Sequence, residues 1–273
     1  MVYMSLKDLF SSSQHSEYYS HVALIPIISG YFLYLKRKEI SLNSECPYPS
    51  GLIPMLAGVT LYLYGRTLEI ELNQNDYSSL MTFSVFLFWT GAFIFFYGPR
   101  AFRIAVFPLL FLAFMIPIPS VLMDNIIYAL QVASAEVTFL LFQILGLPVV
   151  RGGCVFQLPG ISIEVAKQCS GIRSSLALFI ISILAAYLFL HSSWRRAILI
   201  FSILPIAVLK NGIRIVTLSL LAIYVDGKFL TGGFLHKSGG FVFYIFALAL
   251  LGLLIWVLRK SEGENKSKIL VAP

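Results

Sequence analysis

Charged residues are scarce in this chain of 273 residues. Asp, Glu, Lys and Arg together make up 12% of it, against roughly 25% in ordinary globular domains. Hydrophobic residues make up 58%, so most side chains must face lipid or one another. This scarcity of charge excludes an ordinary soluble domain and predicts an integral membrane protein.

Cysteine and histidine are also rare. The three cysteines form no CxxC pair, and the four histidines have no close spacing. These patterns disfavour a disulfide framework and a structural metal site. We therefore expect neither a metal nor another cofactor.

The net charge of +7 comes from basic residues in short clusters beside apolar runs. Clusters of this kind follow the positive-inside rule and disfavour a nucleic-acid partner. They predict a multi-pass protein of the plasma or inner membrane, with its N-terminus outside and its C-terminus in the cytoplasm. The clusters expected in the cytoplasm are Lys36 to Lys38, Arg100 with Arg103, Arg195 with Arg196, and Arg259 with Lys260.

Eight apolar runs predict an all-α helical bundle with about seven to eight membrane segments, because only helices satisfy their backbone polar groups in lipid. Residues 1–258 form this transmembrane domain, and 259–273 form a polar cytoplasmic tail. If all the basic clusters lie on the cytoplasmic side of the membrane, one apolar run cannot cross it. The candidates are 102–119, as a re-entrant segment, and 126–147, as an interfacial helix. The runs are 19–35, 51–65, 79–98, 102–119, 126–147, 171–190, 197–225 and 239–258.

Residues 148–167 differ from the apolar runs. They contain glycines, Pro159 and an apolar alternation at Ile161, Ile163 and Val165. This pattern predicts a short extracytoplasmic β-hairpin with its turn near Leu158 to Gly160. The hairpin leads the chain to Cys169.

Three polar residues fall on the outer face in this topology. Cys169 lies just before the run 171–190, and His236 lies just before the last run. Arg214 lies about 25 Å along a helix from residue 197, nearly the thickness of the bilayer core. Taken alone, each has a simpler interpretation, as a buried inert thiol, a helix-end arginine and a solvated loop histidine.

Together these residues supply the parts needed for acyl transfer. Cys169 is the candidate nucleophile, His236 the general base and acid, and Arg214 the cation that stabilises thiolate or oxyanion. Further candidates support these three residues. The backbone N–H groups of Ser170 and Gly171 are candidate oxyanion donors, and Asn211 could orient Arg214 or the substrate. Arg173 could favour the thiolate or anchor the helix at the interface.

Three motifs in this order resemble the exosortase/archaeosortase family: CSGIRS at 169–174, NGIR at 211–214 and HKSGG at 236–240. The opening stretch YYSHVALIPIISGYFLYLKRK is similar as well, and the resemblance covers roughly residues 17 to 258. It implies a membrane-embedded cysteine transpeptidase or thiol protease. It also implies the catalytic set Cys169, Arg214 and His236.

The resemblance further implies the substrate and the reaction. An exported protein carrying a C-terminal sorting signal, made of a short Pro-containing motif, a transmembrane helix and a basic tail, would be cut through a thioester. A second, unknown nucleophile would then accept the acyl group for surface anchoring or export. Two alternatives stay open: a multi-pass transporter, and a non-catalytic membrane assembly factor in which Cys169 is merely packed.

Overall fold

The computed structural model describes residues 23–44, 48–68, 71–225 and 234–271. Within these ranges, the side chains of 168–169, 234–239 and 263–271 are outside the description. The chain divides into two compact units, Met1–Met123 and Asp124–Pro273. Each unit is described by itself.

The described residues of the first unit form three α-helices: α1 (Leu24–Leu42), α2 (Leu52–Thr67) and α3 (Gln74–Phe111). Helix α3 is interrupted at Gly98, whose φ of 80° and ψ of 169° are not helical, and Pro99 follows it. Proline lacks an N–H and cannot continue the helical hydrogen bonds. The apolar runs 79–98 and 102–119 are therefore two helical halves on either side of this break.

Glycines spaced by seven residues let α2 approach the first half of α3 closely. A Cβ atom at Gly51 would lie 2.4 Å from the nitrogen of Phe95, and one at Gly58 would lie 2.7 Å from the nitrogen of Phe88. Small residues at helix contacts are the usual means of close packing in membranes. The contacts run in opposite directions along the two helices, so the pair is antiparallel.

Helix α1 packs against the second half of α3. The Ser29 hydroxyl donates to the carbonyl oxygen of Pro108 at 2.7 Å, and the Lys36 ammonium donates to that of Ile104 at 3.0 Å. At the far end of this half, the Asp76 carboxylate accepts a hydrogen bond of 2.6 Å from the backbone N–H of Ser120. After the second half of α3, the chain thus returns to the place where the first half began.

The second unit contains the remaining described elements, except that the first four residues of α4 belong to the first unit. A three-stranded antiparallel sheet has the order β1-β2-β3, and Leu158 pairs with Ile161 across the turn between β2 and β3. The elements are α4 (Ser120–Ile144), β1 (Val150–Gly152), β2 (Val155–Leu158), β3 (Ile161–Glu164), α5 (Ile172–Phe189), α6 (Ser193–Phe201), α7 (Ile203–Tyr224) and α8 (Phe234–Val271).

Two hydrophobic cores hold this unit together, and α7 belongs to both. One core joins α5, α6, the start of α7 and α8, with Leu178, Ile203 and Leu251 among its buried residues. The other joins α4, one face of the sheet and the later part of α7, including Phe156 and Ile215. The stretch of α7 between the two cores carries the polar residues Lys210, Asn211 and Arg214.

A buried carboxylate ties α8 to the turn that follows α5. Glu262 accepts hydrogen bonds from the backbone N–H groups of His191, at 3.2 Å, and Ser192, at 2.7 Å. Helices α5 and α8 therefore both run towards this turn. Helix α8 itself continues across the expected boundary at residue 258, as far as Val271.

The structure confirms the predicted helical membrane fold with a small sheet near 148–167, and the sheet has a third strand, β1, beyond the expected hairpin. The count of seven to eight segments is not confirmed. Five helices of the described residues have the length and composition to cross a membrane. Three features account for the difference: α1 is charged in its second half, α2 has only 16 residues, and the two halves of α3 are counted as one helix although it breaks at Gly98.

Replacing Gly58 by Ala tests the close packing of α2 on α3. We expect a clearly lower melting temperature in detergent, because the new methyl group must push two backbones apart, at a cost of about 1–3 kcal/mol. Gly30→Ala in α1 is the matched control, since no atom lies within 4 Å of the position of its Cβ. Alanine favours helix there, so this variant should melt at or above the wild-type temperature. Equal losses in the two variants would contradict the packing.

Candidate active site

A short 3₁₀ turn, Lys167–Ser170, carries Cys169 to the start of α5. Gly171 follows in the left-handed conformation, with φ of 72° and ψ of 14°, which glycine adopts without strain. Its carbonyl oxygen accepts hydrogen bonds from the hydroxyls of Ser174 and Ser175, both at 2.9 Å. The backbone of Cys169 is thereby fixed at the N-terminus of α5, and its side chain lies outside the described part.

The turn after Cys169 lies directly against α7. A Cβ atom at Gly171 would be 3.1 Å from Oδ1 of Asn211 and 3.3 Å from Nζ of Lys210. The absence of a side chain at Gly171 therefore allows this contact. It brings the CSG and NGIR segments of the sequence together.

Asn211 is held from the opposite direction by α4. Its amide Nδ2 donates to the hydroxyl of Ser134 at 3.0 Å, and both residues are buried. One residue further on, a Cβ at Gly212 would lie 2.8 Å from the side chain of Val137. Helix α4 thus fixes the position of the polar turn of α7 from one direction, while α5 contacts it from the other.

Two cations project from this part of α7. Lys210 is only 2% exposed, and its ammonium donates to the hydroxyl of Ser174. Arg214 follows four residues later, so the two side chains lie on one face of the helix. Among the described side chains, no carboxylate forms an ion pair with either cation.

Ser170 supplies a buried hydroxyl beside Cys169. The residue is 1% exposed, and its Oγ has no hydrogen-bond partner among the described residues. Buried hydroxyls are nearly always hydrogen-bonded, so such a group needs an explanation. Ser170 is the last residue of the 3₁₀ turn that carries Cys169.

The backbone of His236 lies in the first turn of α8, and its side chain is outside the description. Because α5 and α8 both run towards the turn fixed by Glu262, their N-termini lie at the same end of the unit. The segments of Cys169 and His236 therefore lie towards the same end of the unit, and Arg214 lies one helical turn after the residue of α7 that contacts the Cys169 turn. Convergence of the three side chains stays a prediction.

Other charged residues near the turn have partners elsewhere. Lys167 forms an exposed ion pair of 3.1 Å with Asp124. Arg151 binds Glu136 with two hydrogen bonds of 2.7 Å, and these bonds raise the pKa of the arginine and connect the sheet to α4. Arg173 is exposed at the first turn of α5.

Sequence reasoning did not assign a role to Lys210. The sequence did contain a signal for such a role: Lys210 lies in an apolar run, one helical turn before Arg214. A charge in an apolar run is costly and therefore indicates a function. The burial of Lys210 against α5 could not be seen in the sequence. Among the described residues, no cluster of His, Cys, Asp and Glu has the arrangement of a metal site.

The fold and the site define a multi-pass helical membrane protein with a polar turn between two apolar cores. The family model described as transmembrane exosortase matches residues 12–253, so the chain belongs to the transmembrane exosortase family. The resemblance seen in the sequence is thus confirmed. The protein is a membrane-embedded enzyme that processes sorting signals, in a family of peptidases and transpeptidases. No curated protein and no solved structure matches the chain.

Replacing Gly171 by Ala tests the contact between the turn and Asn211. We expect processing of a sorting-signal substrate to fall more than about tenfold, because the methyl group would displace the amide and the left-handed backbone would be strained. Gly160→Ala is the control: its φ is 83°, yet nothing lies within 4 Å of the position of its Cβ. That variant should process substrate almost normally. Accumulation of uncleaved substrate at matched membrane abundance measures both, and equal defects would contradict a role for the contact.

Proposed function

We propose that this exosortase cleaves the C-terminal sorting signal of exported proteins through a thioester on Cys169, and that it passes the acyl group to a second nucleophile. The signal comprises a short Pro-containing motif, a transmembrane helix and a basic tail. Cys169, Arg214 and His236 are the proposed catalytic residues. The reaction serves surface anchoring or export.

The contact between Gly171 and Asn211 carries this proposal. Cys169 lies two residues before Gly171, and Arg214 lies one helical turn after Asn211. The contact therefore supports a nucleophile and a guanidinium in the same small region. A helix N-terminus and nearby cations both favour the thiolate form of cysteine.

The chemistry proceeds in two acyl transfers. The Cys169 thiolate attacks the scissile carbonyl carbon, and negative charge moves onto the carbonyl oxygen. The C–N bond then breaks, and the departing amine takes a proton from the His236 imidazolium, which leaves a thioester. The second nucleophile gives its proton to His236, attacks the thioester carbonyl and releases the thiolate.

Several groups are suited to the oxyanion of both tetrahedral intermediates. Arg214 carries a positive charge that no described carboxylate neutralises. The backbone N–H groups of Ser170 and Gly171 are the proposed oxyanion donors, and the buried Ser170 hydroxyl is a further candidate. Asn211 orients the substrate or Arg214, and Arg173 adds positive charge at the start of α5. Donors already in place stabilise developing charge without reorganisation.

We place the site on the extracytoplasmic face and α4 outside the hydrocarbon region. The exposed ion pairs at Asp124 and Glu136 are 12 positions apart along α4, about 18 Å of helix. A crossing helix would carry one pair into the bilayer, where each charge costs about 2.5–3.5 kcal/mol. This argument favours 126–147 as the segment that does not cross. Helices α6 and α7 together are longer than the bilayer is thick, so the C-terminal end of α7 can extend beyond the hydrocarbon region.

The two alternatives explain less of this arrangement. A transporter would place polar groups along a path through the membrane, whereas Lys210, Asn211 and Arg214 occupy a single turn of α7 between two apolar cores. A non-catalytic assembly factor gives no reason to bury Lys210 without a carboxylate partner among the described side chains. The experiments below separate these alternatives from the enzyme.

Replacing Cys169 by Ala should reduce processing to background, because the nucleophile is lost while little packing changes. Uncleaved substrate should accumulate in cells at matched membrane abundance of the variant. Cys154→Ser is the matched control, since Cys154 is a free thiol in the turn between β1 and β2, and it should process substrate normally. Continued cleavage by the Cys169→Ala variant would refute the acyl-enzyme.

Labelling with a membrane-impermeant thiol reagent tests orientation and the role of Arg214. In a Cys154→Ser background, Cys169 should react in intact cells, whereas Cys46, expected in the cytoplasm, should react only after permeabilisation. Arg214→Lys should slow the labelling of Cys169, because an ammonium does not reproduce the planar guanidinium. Labelling of Cys169 only after permeabilisation would contradict the orientation. Indifference to Arg214 would favour a transporter or an assembly factor.

A further inference from the structure

Lys210 is a buried cation that the mechanism above leaves without a role. Lysine is almost never fully buried unless it is paired, because removing its charge from water is costly. One of its three N–H donors is used by the Ser174 hydroxyl. A hydroxyl does not neutralise an ammonium, so an anion close to Nζ would stabilise the charged form of Lys210.

The position of Lys210 indicates which anion this is. Its Nζ is 3.3 Å from the position that a Cβ at Gly171 would occupy. Consecutive Cα atoms are about 3.8 Å apart, so the Cα of Cys169 lies at most about 7.6 Å from that of Gly171. A thiolate at Cys169 is the negative group that the proposed chemistry supplies in this neighbourhood.

The surrounding charges offer no competing anion among the described side chains. On α7, the neighbour of Lys210 is another cation, Arg214. Nearby carboxylates on α4 bind other cations, Asp124 with Lys167 and Glu136 with Arg151. Further ionisable groups on the adjoining elements are the exposed Glu164 of β3 and the exposed Arg173 of α5, with His236 and Lys237 in the first turn of α8. Arg259, Lys260 and Glu262 lie near the opposite end of α8.

We propose that Lys210 is a second cation of the exosortase site, which stabilises the Cys169 thiolate together with Arg214. This proposal rests on the proposed function, because it needs a thiolate at Cys169. Lys210 acts on the nucleophile by its charge, and its hydrogen bond to Ser174 holds the ammonium against the first turn of α5. The buried charge is retained for reactivity at a cost in stability.

The test measures the alkylation rate of Cys169 by iodoacetamide across the pH range. It uses the full chain in detergent with Cys46→Ser and Cys154→Ser, so that Cys169 is the only thiol. Lys210→Met should move the pH midpoint of alkylation upward by about one unit and slow the reaction at neutral pH about tenfold. Its melting temperature should stay equal or rise, because an apolar side chain of similar volume replaces a buried charge.

Two further variants keep the result decisive. Ser174→Ala removes the hydrogen-bond partner but keeps the ammonium, so its pH midpoint should stay near that of the wild type. Lys210→Gln keeps a donor for Ser174 but lacks the charge, so its midpoint should shift as in Lys210→Met even if the methionine variant does not fold. An equal shift in Ser174→Ala would mean that Lys210 acts only by holding α5, and this would overturn the role of its charge.

The wild-type measurement separates this proposal from the proposed function. A wild-type midpoint in the alkaline range of an ordinary thiol would contradict a stabilised thiolate, and both proposals would then fail. A low wild-type midpoint that Lys210→Met and Lys210→Gln leave unchanged would overturn the role of Lys210 alone. A lower melting temperature with an unchanged midpoint would show that Lys210 is purely structural.

Discussion

The close approach of Gly171 to Asn211 and Lys210 is the contact on which the arrangement of the site depends. It needs a residue without a side chain, in a left-handed conformation, at the point where the 3₁₀ turn becomes α5. It also needs two polar side chains at the point of α7 that faces Gly171. A change in either partner would move the segment of Cys169 relative to that of Arg214.

The two hydrophobic cores fix the position of the polar turn along the axis of α7. Ile203 packs in the core formed with α5, α6 and α8, whereas Ile215 and Val216 pack against α4 and the sheet. A helix that is buried at both ends has little freedom to slide or rotate. Its middle stretch can therefore carry the buried Lys210 and the partly buried Arg214, because apolar packing on both sides offsets the cost of their desolvation. Strong packing around a costly polar group is the usual arrangement of a functional site.

The helical membrane fold and the small sheet could be predicted because apolar runs and alternating apolar residues are direct signals. The number of segments could not, because the run at 51–65 forms a helix of only 16 residues, and because the runs on either side of Gly98 form two halves that are counted as one helix. The motifs around Cys169, Arg214 and His236 gave the family. Lys210 escaped notice because its importance lies in a contact with a residue almost forty positions away. The pairing of Glu136 with Arg151 was likewise beyond sequence reasoning, since it depends on how the sheet lies along α4.

The hydrogen bonds of Glu262 have a consequence for the opposite end of the molecule. They fix the axial register of α8 against α5, and His236 lies 26 residues earlier on the same helix, about 39 Å away. A continuous helix is stiff along its axis, so the number of residues between Glu262 and His236 sets the position of the His236 backbone along and around α8. Removing one residue between them would shift His236 by about 1.5 Å and rotate it by about 100°. The length of this segment is thus a constraint on the proposed position of His236.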